Sequence, residues 1–293
     1  MKQDFVTTNI EPPHGFMNLN IAELWHNREL LYFLCWRDIK VKYKQTALGF
    51  MWAIIVPLVN MVIFGTIFGR VGGLPTNGLN PYLSYLAVLV PWNYFATSLV
   101  MTSLSMVKDA PMLTKIYFPR LYSPLNPSFS NLVDLAIGFS ILLVVTAING
   151  IVPAATSLLL PLFVIWMMLV GVGIGSFLSA LNVRYRDVSH MVPFLVQIWM
   201  YMTVLTSFSG LPERWGAWRF LYGINPMVGA VEGFRWALLN HHMVKEVGGQ
   251  VVPVLPAHDL MMLMAAGLPA MIGMLALGLY YFKRTERIFA DVV

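Results

Sequence analysis

Apolar residues run through this chain in long blocks separated by short polar stretches, the pattern of a helix-spanned membrane protein. Six blocks approach or exceed the roughly 20 apolar residues that cross a bilayer: 48–68, 83–107, 132–148, 155–181, 191–208 and 260–282. The third has apolar residues from Leu121 onward, but Pro124 and Pro127 would bend or delay its start. Ahead of the first block, Tyr32, Trp36, Ile39 and Tyr43 recur at i, i+4, i+7 and i+11, with Arg37, Lys40 and Lys44 on a neighbouring face. This predicts a helix over 22–46 lying in the membrane interface, anchored by Trp36 and Tyr43, with its cations at the level of lipid phosphates. The same residues also read as a basic flank that only fixes topology. Between blocks five and six, a segment over 209–257 contains a run of about 13 apolar residues after Asn225-Pro226, interrupted by Glu232 and Arg235 at i, i+3. A run this short predicts a re-entrant or interfacial helix whose charges pair with each other or with neighbours.

Composition agrees with the pattern. Of 293 residues, 58% are hydrophobic and 11% charged, and the mean hydropathy is +0.68. Soluble domains carry about 25% charged residues. Six spans place both termini on one side. With that side taken as cytoplasmic, 14 of the 19 lysines and arginines fall inside and 5 outside, the asymmetry expected of inner loops. The formal charge of +5 is therefore loop asymmetry and contact with anionic lipid, with no nucleic-acid partner implied. Residues 1–20 are polar and contain proline, unlike a cleaved signal. Cys35, the single cysteine, reads as a buried, inert thiol.

Little in the sequence suggests chemistry. There is no G-x-x-x-x-G-K-[ST] phosphate loop, no glycine followed by lysine and no pair of acids two residues apart. His241, His242 and Glu246 read as surface polar groups and not as a metal site. Asp134 is the one clear ionisable group at membrane depth, a poor proton relay and a better structural partner for a basic or hydroxyl group. What remains resembles a conduit without a motor. Trp52, Asn60, Trp92, Tyr94, Gln197 and Tyr201 are candidate lining residues, since aromatic rings with polar edges suit sugar surfaces; ordinary helix–helix contacts explain the same residues. The inner loop around 108–120 predicts a short helix from near Pro111, offering Asp109, Met112, Leu113, Ile116, Tyr117 and Phe118 to a cytoplasmic partner.

Three stretches carry a resemblance to a known family. They are Trp36-Arg37-Asp38-Ile39-Lys40-Val41-Lys42-Tyr43-Lys44-Gln45-Thr46-Ala47-Leu48-Gly49 with Trp52 and Pro57, then Asn182-Val183-Arg184-Tyr185-Arg186-Asp187-Val188, and Asn225-Pro226-Met227 leading to Glu232-Gly233-Phe234-Arg235-Trp236-Ala237-Leu238. Together these resemble the membrane subunits of polysaccharide-exporting ABC-2 transporters, the O-antigen, capsule and teichoic acid exporters. The resemblance implies a single all-α transmembrane domain over 1–293 of the ABC-2, type V-like exporter fold. It implies a homodimer in a bacterial cytoplasmic membrane with two separate ATPase chains, which would hold ATP and Mg; no cofactor falls to this chain, which would not be an enzyme. Residues 109–118 would couple to the ATPase, and the region 215–239, with Asn225, Pro226, Glu232 and Arg235, would form the outer gate. The substrate would be a glycan on a polyprenyl pyrophosphate or other lipid, docking its phosphate at Arg37, Lys40 and Lys44. Two other readings stay open: an ABC-2 exporter of a drug or lipid, and an integral-membrane glycosyl- or acyltransferase, against which the missing acid pairs and H-x-x-x-x-D spacing count.

Overall fold

The computed structural model describes residues 21–44, 50–76, 78–113, 119–205, 207–211, 213–247 and 250–286. The chain begins with α1 (Ile21–His26) and α2 (Arg28–Lys44). Among the described residues, six helices then have the length and apolarity to cross a membrane. The first is α3 (Met51–Phe64), continued by a π-helical segment, Gly65–Val71. The second is α4 (Pro81–Leu113), and the third is formed by α5 (Tyr122–Ser130) and α6 (Leu132–Ile148). The fourth comprises a 3-10 turn, Ala155–Leu159, and α7 (Leu160–Arg184). The fifth is α8 (Val188–Met200) with a π-helical end, Tyr201–Leu205. After a short helix α9 (Pro226–Leu239) and a two-stranded antiparallel sheet, α10 (Ala257–Thr285) is the sixth.

The spans differ in how deeply they sit. α4 and α7 form the middle of the subunit, whereas α3 has no fully buried residue and α8 and α10 are exposed along one side. Small residues set the approach of the central helices. A Cβ placed on Gly175 of α7 would lie 2.4 Å from Thr102 Cγ2, and one on Gly278 of α10 would lie 1.8 Å from the Gly173 carbonyl oxygen. Without an aqueous driving force between spans, such close backbone packing is a main source of their cohesion. Hydroxyl groups add to it deep in the bundle, as between Ser105 and Ser179 at 3.1 Å.

Three features differ from what the sequence pattern predicts. The third span does start at Tyr122: Pro124 sits in the first turn of α5, where its missing N–H would have had no helical acceptor. The helix is instead interrupted at Asn131. Second, no separate helix begins at Pro111, because α4 runs through it to Leu113. Residues 114–118 of that loop lie outside the described residues. Third, β1 (Val244–Val247) and β2 (Gln250–Pro253) pair antiparallel, with Val244 opposite Pro253. Gly248-Gly249 between two β-branched stretches was the available sequence signal for it.

The short charged helix is as predicted in kind and deeper in place. Every residue of α9 except Trp236 is buried, against α4, α7 and α10. Asn225 caps it by accepting from the Met227 N–H, and Pro226 occupies its first turn. Its last carbonyls are met from the 3-10 turn before α7: Thr156 donates to the Ala237 carbonyl at 2.8 Å, and the Ala154 N–H donates to that of Leu238. The capping lets a 14-residue helix end inside protein without orphaned backbone groups.

Candidate functional site

The ends of α4, α5, α7 and α10 gather on one side of the bundle around Met106, Leu121, Ala180 and Phe282. This is the basic end. Here α2 lies against α5, with Leu34 buried beside Tyr122. Of its stripe, Tyr32 and Trp36 turn outward, 63% and 46% exposed, whereas Ile39 is half-buried and Tyr43, expected as an outward anchor, turns its hydroxyl to Asp134. Lys40 and Lys44 are exposed too, and Lys40 stands over the Trp36 ring at 5.1 Å. An outward aromatic face flanked by cations is the arrangement an interfacial helix needs.

The opposite face of α2 is held by charge. Arg37 donates to Asp38 at 3.0 Å and to Asp109 at 3.2 Å, while Ser123 donates to the other Asp109 oxygen. Lys108 and Asn126 both donate to Asp38, at 3.0 and 2.8 Å. Burial works against the charged forms of Arg37 and Asp38, yet their partners outweigh it. The guanidinium is held above its ordinary pKa by Asp38 and Asp109. The Asp38 carboxyl is held below its ordinary value by Lys108 and Arg37. Burial and the Asp38 charge push the Cys35 thiol up to about 11, so it stays protonated and inert.

This corrects two assignments. Arg37 was expected to offer its planar fork to a lipid phosphate, but two carboxylates of the protein already occupy the guanidinium. Asp109 was expected on the partner-facing loop; it is 5% exposed and turned inward at the end of α4. Arg37 and Asp109 together tie α2 to the last turns of α4. Met112 also faces this tie, its sulfur 3.6 Å from Arg37 Nη1. Leu113 ends α4, and Ile116, Tyr117 and Phe118 fall outside the described residues.

Sequence reasoning passed over Lys42, which turns out to be a principal contact. Its ammonium donates to Asp134 at 2.5 Å and to Asn131 at 3.3 Å, and the Tyr43 hydroxyl donates to Asp134 at 2.5 Å. Asp134 thus has the basic and hydroxyl partners expected of a structural acid. Burial, with the hydrogen bond to Asp134, raises the Tyr43 pKa. Above this cluster a cavity of about 410 Å³ lies between α3, α4 and α6. Trp52, Val56 and Pro57 line one wall, and Asn93, Tyr94 and Thr97 another.

The remaining candidates sort by exposure. Trp92 is buried against Phe95 and Trp199 inside the subunit, and Tyr94 is buried with its hydroxyl donating to the Ser128 carbonyl at 2.9 Å. Trp92 does not line the cavity between α3, α4 and α6, and Tyr94 lines only its inner wall; their large ring areas are used mainly for packing between spans. Gln197 and Tyr201 are exposed on α8 and its π-helical end, 3.3 Å apart, and Trp52 is 51% exposed on α3. Asn60 is half-buried on α3.

At the other end of the bundle, Asn225 joins the fifth span to α9. It accepts from Trp199 at 2.9 Å and donates to Thr203 at 3.0 Å. About two to three turns further along α9, Arg235 donates to Glu232 in a pair whose side chains are 3% and 6% exposed. The free carboxylate oxygen accepts from the Ser207 hydroxyl at 3.1 Å and the Phe208 N–H at 3.2 Å. These bonds fasten the segment after the fifth span to the buried helix. Among the described residues no cluster of three histidine, cysteine or acidic side chains is placed to hold a metal ion.

Residues 29–239 match the ABC-2 type transporter family. The chain is 27% identical over 225 residues to the O-antigen export system permease protein RfbA of Myxococcus xanthus, covering 76% of this chain and 85% of that protein. It is 26% identical over 226 residues to a protein of the same name from Klebsiella pneumoniae, covering 76% and 84%.

Proposed function

Because the chain belongs to the ABC-2 type transporter family, we propose that it is the membrane-spanning subunit of an ATP-driven exporter of a lipid-linked polysaccharide, of O-antigen, capsule or teichoic acid type. The observation that carries this reading is the likeness to two O-antigen export permeases along three-quarters of the chain. The outward aromatic and basic face of α2 supports it, since a lipid-linked substrate presents its phosphate at headgroup depth.

In this reading the basic end faces the cytoplasm of a bacterial cell, as the distribution of lysine and arginine suggests. Two copies of the chain form the conduit, contributing the exposed sides of α3 and α8, with Trp52, Asn60, Gln197 and Tyr201 among the lining groups. Lys40 and Lys44 attract the lipid phosphate. Two separate ATPase chains, holding ATP and Mg, dock beneath residues 112–118. The tie from Arg37 to Asp109 then makes α2 move with the end of α4. The buried Glu232–Arg235 helix, capped by Asn225 and Pro226, is the fixed frame of the outer gate. The chain itself carries out no catalysis and needs no cofactor.

Removing the chain from its host tests this. Lipid-linked glycan is expected to accumulate on the cytoplasmic face while surface glycan disappears, and the unaltered chain restores export. Undiminished surface glycan in its absence would overturn the reading.

A further inference from the structure

The cavity above the Lys42–Asp134 pair has the features of a lipid seat of its own. It lies where the first span begins, lined by the polar groups Lys42, Tyr43, Asn131 and Asp134 and by apolar side chains of α3 such as Val56 and Pro57. Its walls include exposed Trp52 and Val56, so it opens sideways between α3 and the rest of the bundle. One acyl chain of a lipid lying beside these residues would leave the second chain outside the sideways opening and bring the headgroup to Lys42 and Asp134.

The charges decide which headgroup. Lys42 and Asp134 are the cavity's one base and one acid among its lining residues, and both are partly open, at 36% and 27% side-chain exposure. With no ligand they hold each other. The charged groups facing them from neighbouring elements are few: Lys108 is taken up by Asp38, and Tyr43 and Asn131 complete the contacts of the pair. Because both side chains are partly open, an incoming headgroup can reach each of them and exchange with the existing pair. An anionic headgroup alone would find Lys42 but face the Asp134 carboxylate. A headgroup carrying both phosphate and a primary ammonium exchanges one ion pair for two, phosphate on Lys42 and ammonium on Asp134. A quaternary ammonium has no N–H to donate and gains only the charge. Asn93 and Thr97 add hydrogen-bonding partners deeper in the cavity.

We propose that the cavity between α3, α4 and α6 binds a zwitterionic phospholipid of the phosphatidylethanolamine class, seated on Lys42 and Asp134. The site is separate from the outward face of Lys40 and Lys44 and does not depend on what the protein exports.

The test is native mass spectrometry of the full-length chain, released from nanodiscs of equal parts phosphatidylethanolamine, phosphatidylcholine and phosphatidylglycerol. The unaltered chain is expected to retain phosphatidylethanolamine about tenfold over the other two, the size of one charge-assisted hydrogen bond. Asp134→Asn should abolish the preference. Val56→Trp, which fills the apolar mouth without touching a hydrogen bond, should reduce all retained lipid. If Asp134→Asn does not fold, the unaltered chain and Val56→Trp still decide. Equal retention of the three lipids, preference for the anionic one, no lipid retained, or a preference unchanged in a folded Asp134→Asn would each overturn the proposal.

Discussion

Glu232→Ala is expected to lower the stability of this protein by about 3–5 kcal/mol, the range for removing one partner of a buried ion pair. The Arg235 guanidinium, with 3% of its side chain exposed, would lose its carboxylate inside a low-dielectric setting. Ser207 and the Phe208 N–H would lose their acceptor at the same time. The loss should therefore free the segment after the fifth span as well as weaken α9. A double change, Glu232→Leu with Arg235→Met, removes both charges and is expected to recover most of the stability, because paired apolar replacements avoid stranding a charge. Thermal unfolding in detergent, followed by tryptophan fluorescence, separates the cases. If the single change melts no lower than the double one, the pair does not fasten α9 as described.

The second large effect is expected where α7 and α10 cross. Gly278→Ala puts a methyl group 1.8 Å from the Gly173 carbonyl oxygen, and the atoms it meets are backbone, which cannot rotate away. The helices must separate, which places the cost at or above the upper end of the 1–3 kcal/mol typical of overpacked cores. Gly273→Ala lies on the same helix and meets nothing within 4 Å. There the helix gains up to about 1 kcal/mol of propensity, so the change should be neutral or stabilising. Gly278→Ala should lower the melting temperature, whereas Gly273→Ala should leave it unchanged or raise it. Equal stability of both would mean that the crossing is looser than these contacts imply.

The parts legible in the sequence are those governed by local pattern. Six apolar blocks became six spans, because block length alone decides what crosses a bilayer. The i, i+3 spacing of Glu232 and Arg235 in a short run predicted a paired, sheltered helix, and α9 is one. Of the α2 stripe, Tyr32 and Trp36 face outward, while Tyr43 turns to Asp134, a partner its spacing does not reveal.

What the sequence concealed is tertiary. Lys42 and Asp134 are 92 residues apart, and Arg37 and Asp109 are 72 apart, so nothing local shows that these charges are already partnered. On a helical wheel Arg37, Lys40 and Lys44 look alike; only packing against α4 and α5 turns the first inward and leaves the others free. Trp92 and Tyr94 misled for a related reason. An aromatic ring with a polar edge suits a conduit wall, an interface belt and a buried contact equally, and burial decides among them. Pro111 was read as a helix start because proline favours the first turn, yet α4 continues through it. Near a helix end few bonds remain to be lost.

The most direct measurement of the account's central claim is transport by the purified chain, reconstituted into proteoliposomes with the phosphate-loop ATPase of the same exporter. Lipid-linked polysaccharide supplied on the ATPase side is expected to stimulate ATP hydrolysis and to become accessible to a glycan-degrading enzyme on the opposite side, only when both chains and ATP are present. Hydrolysis that is indifferent to the glycan, with no glycan crossing the bilayer, would contradict it.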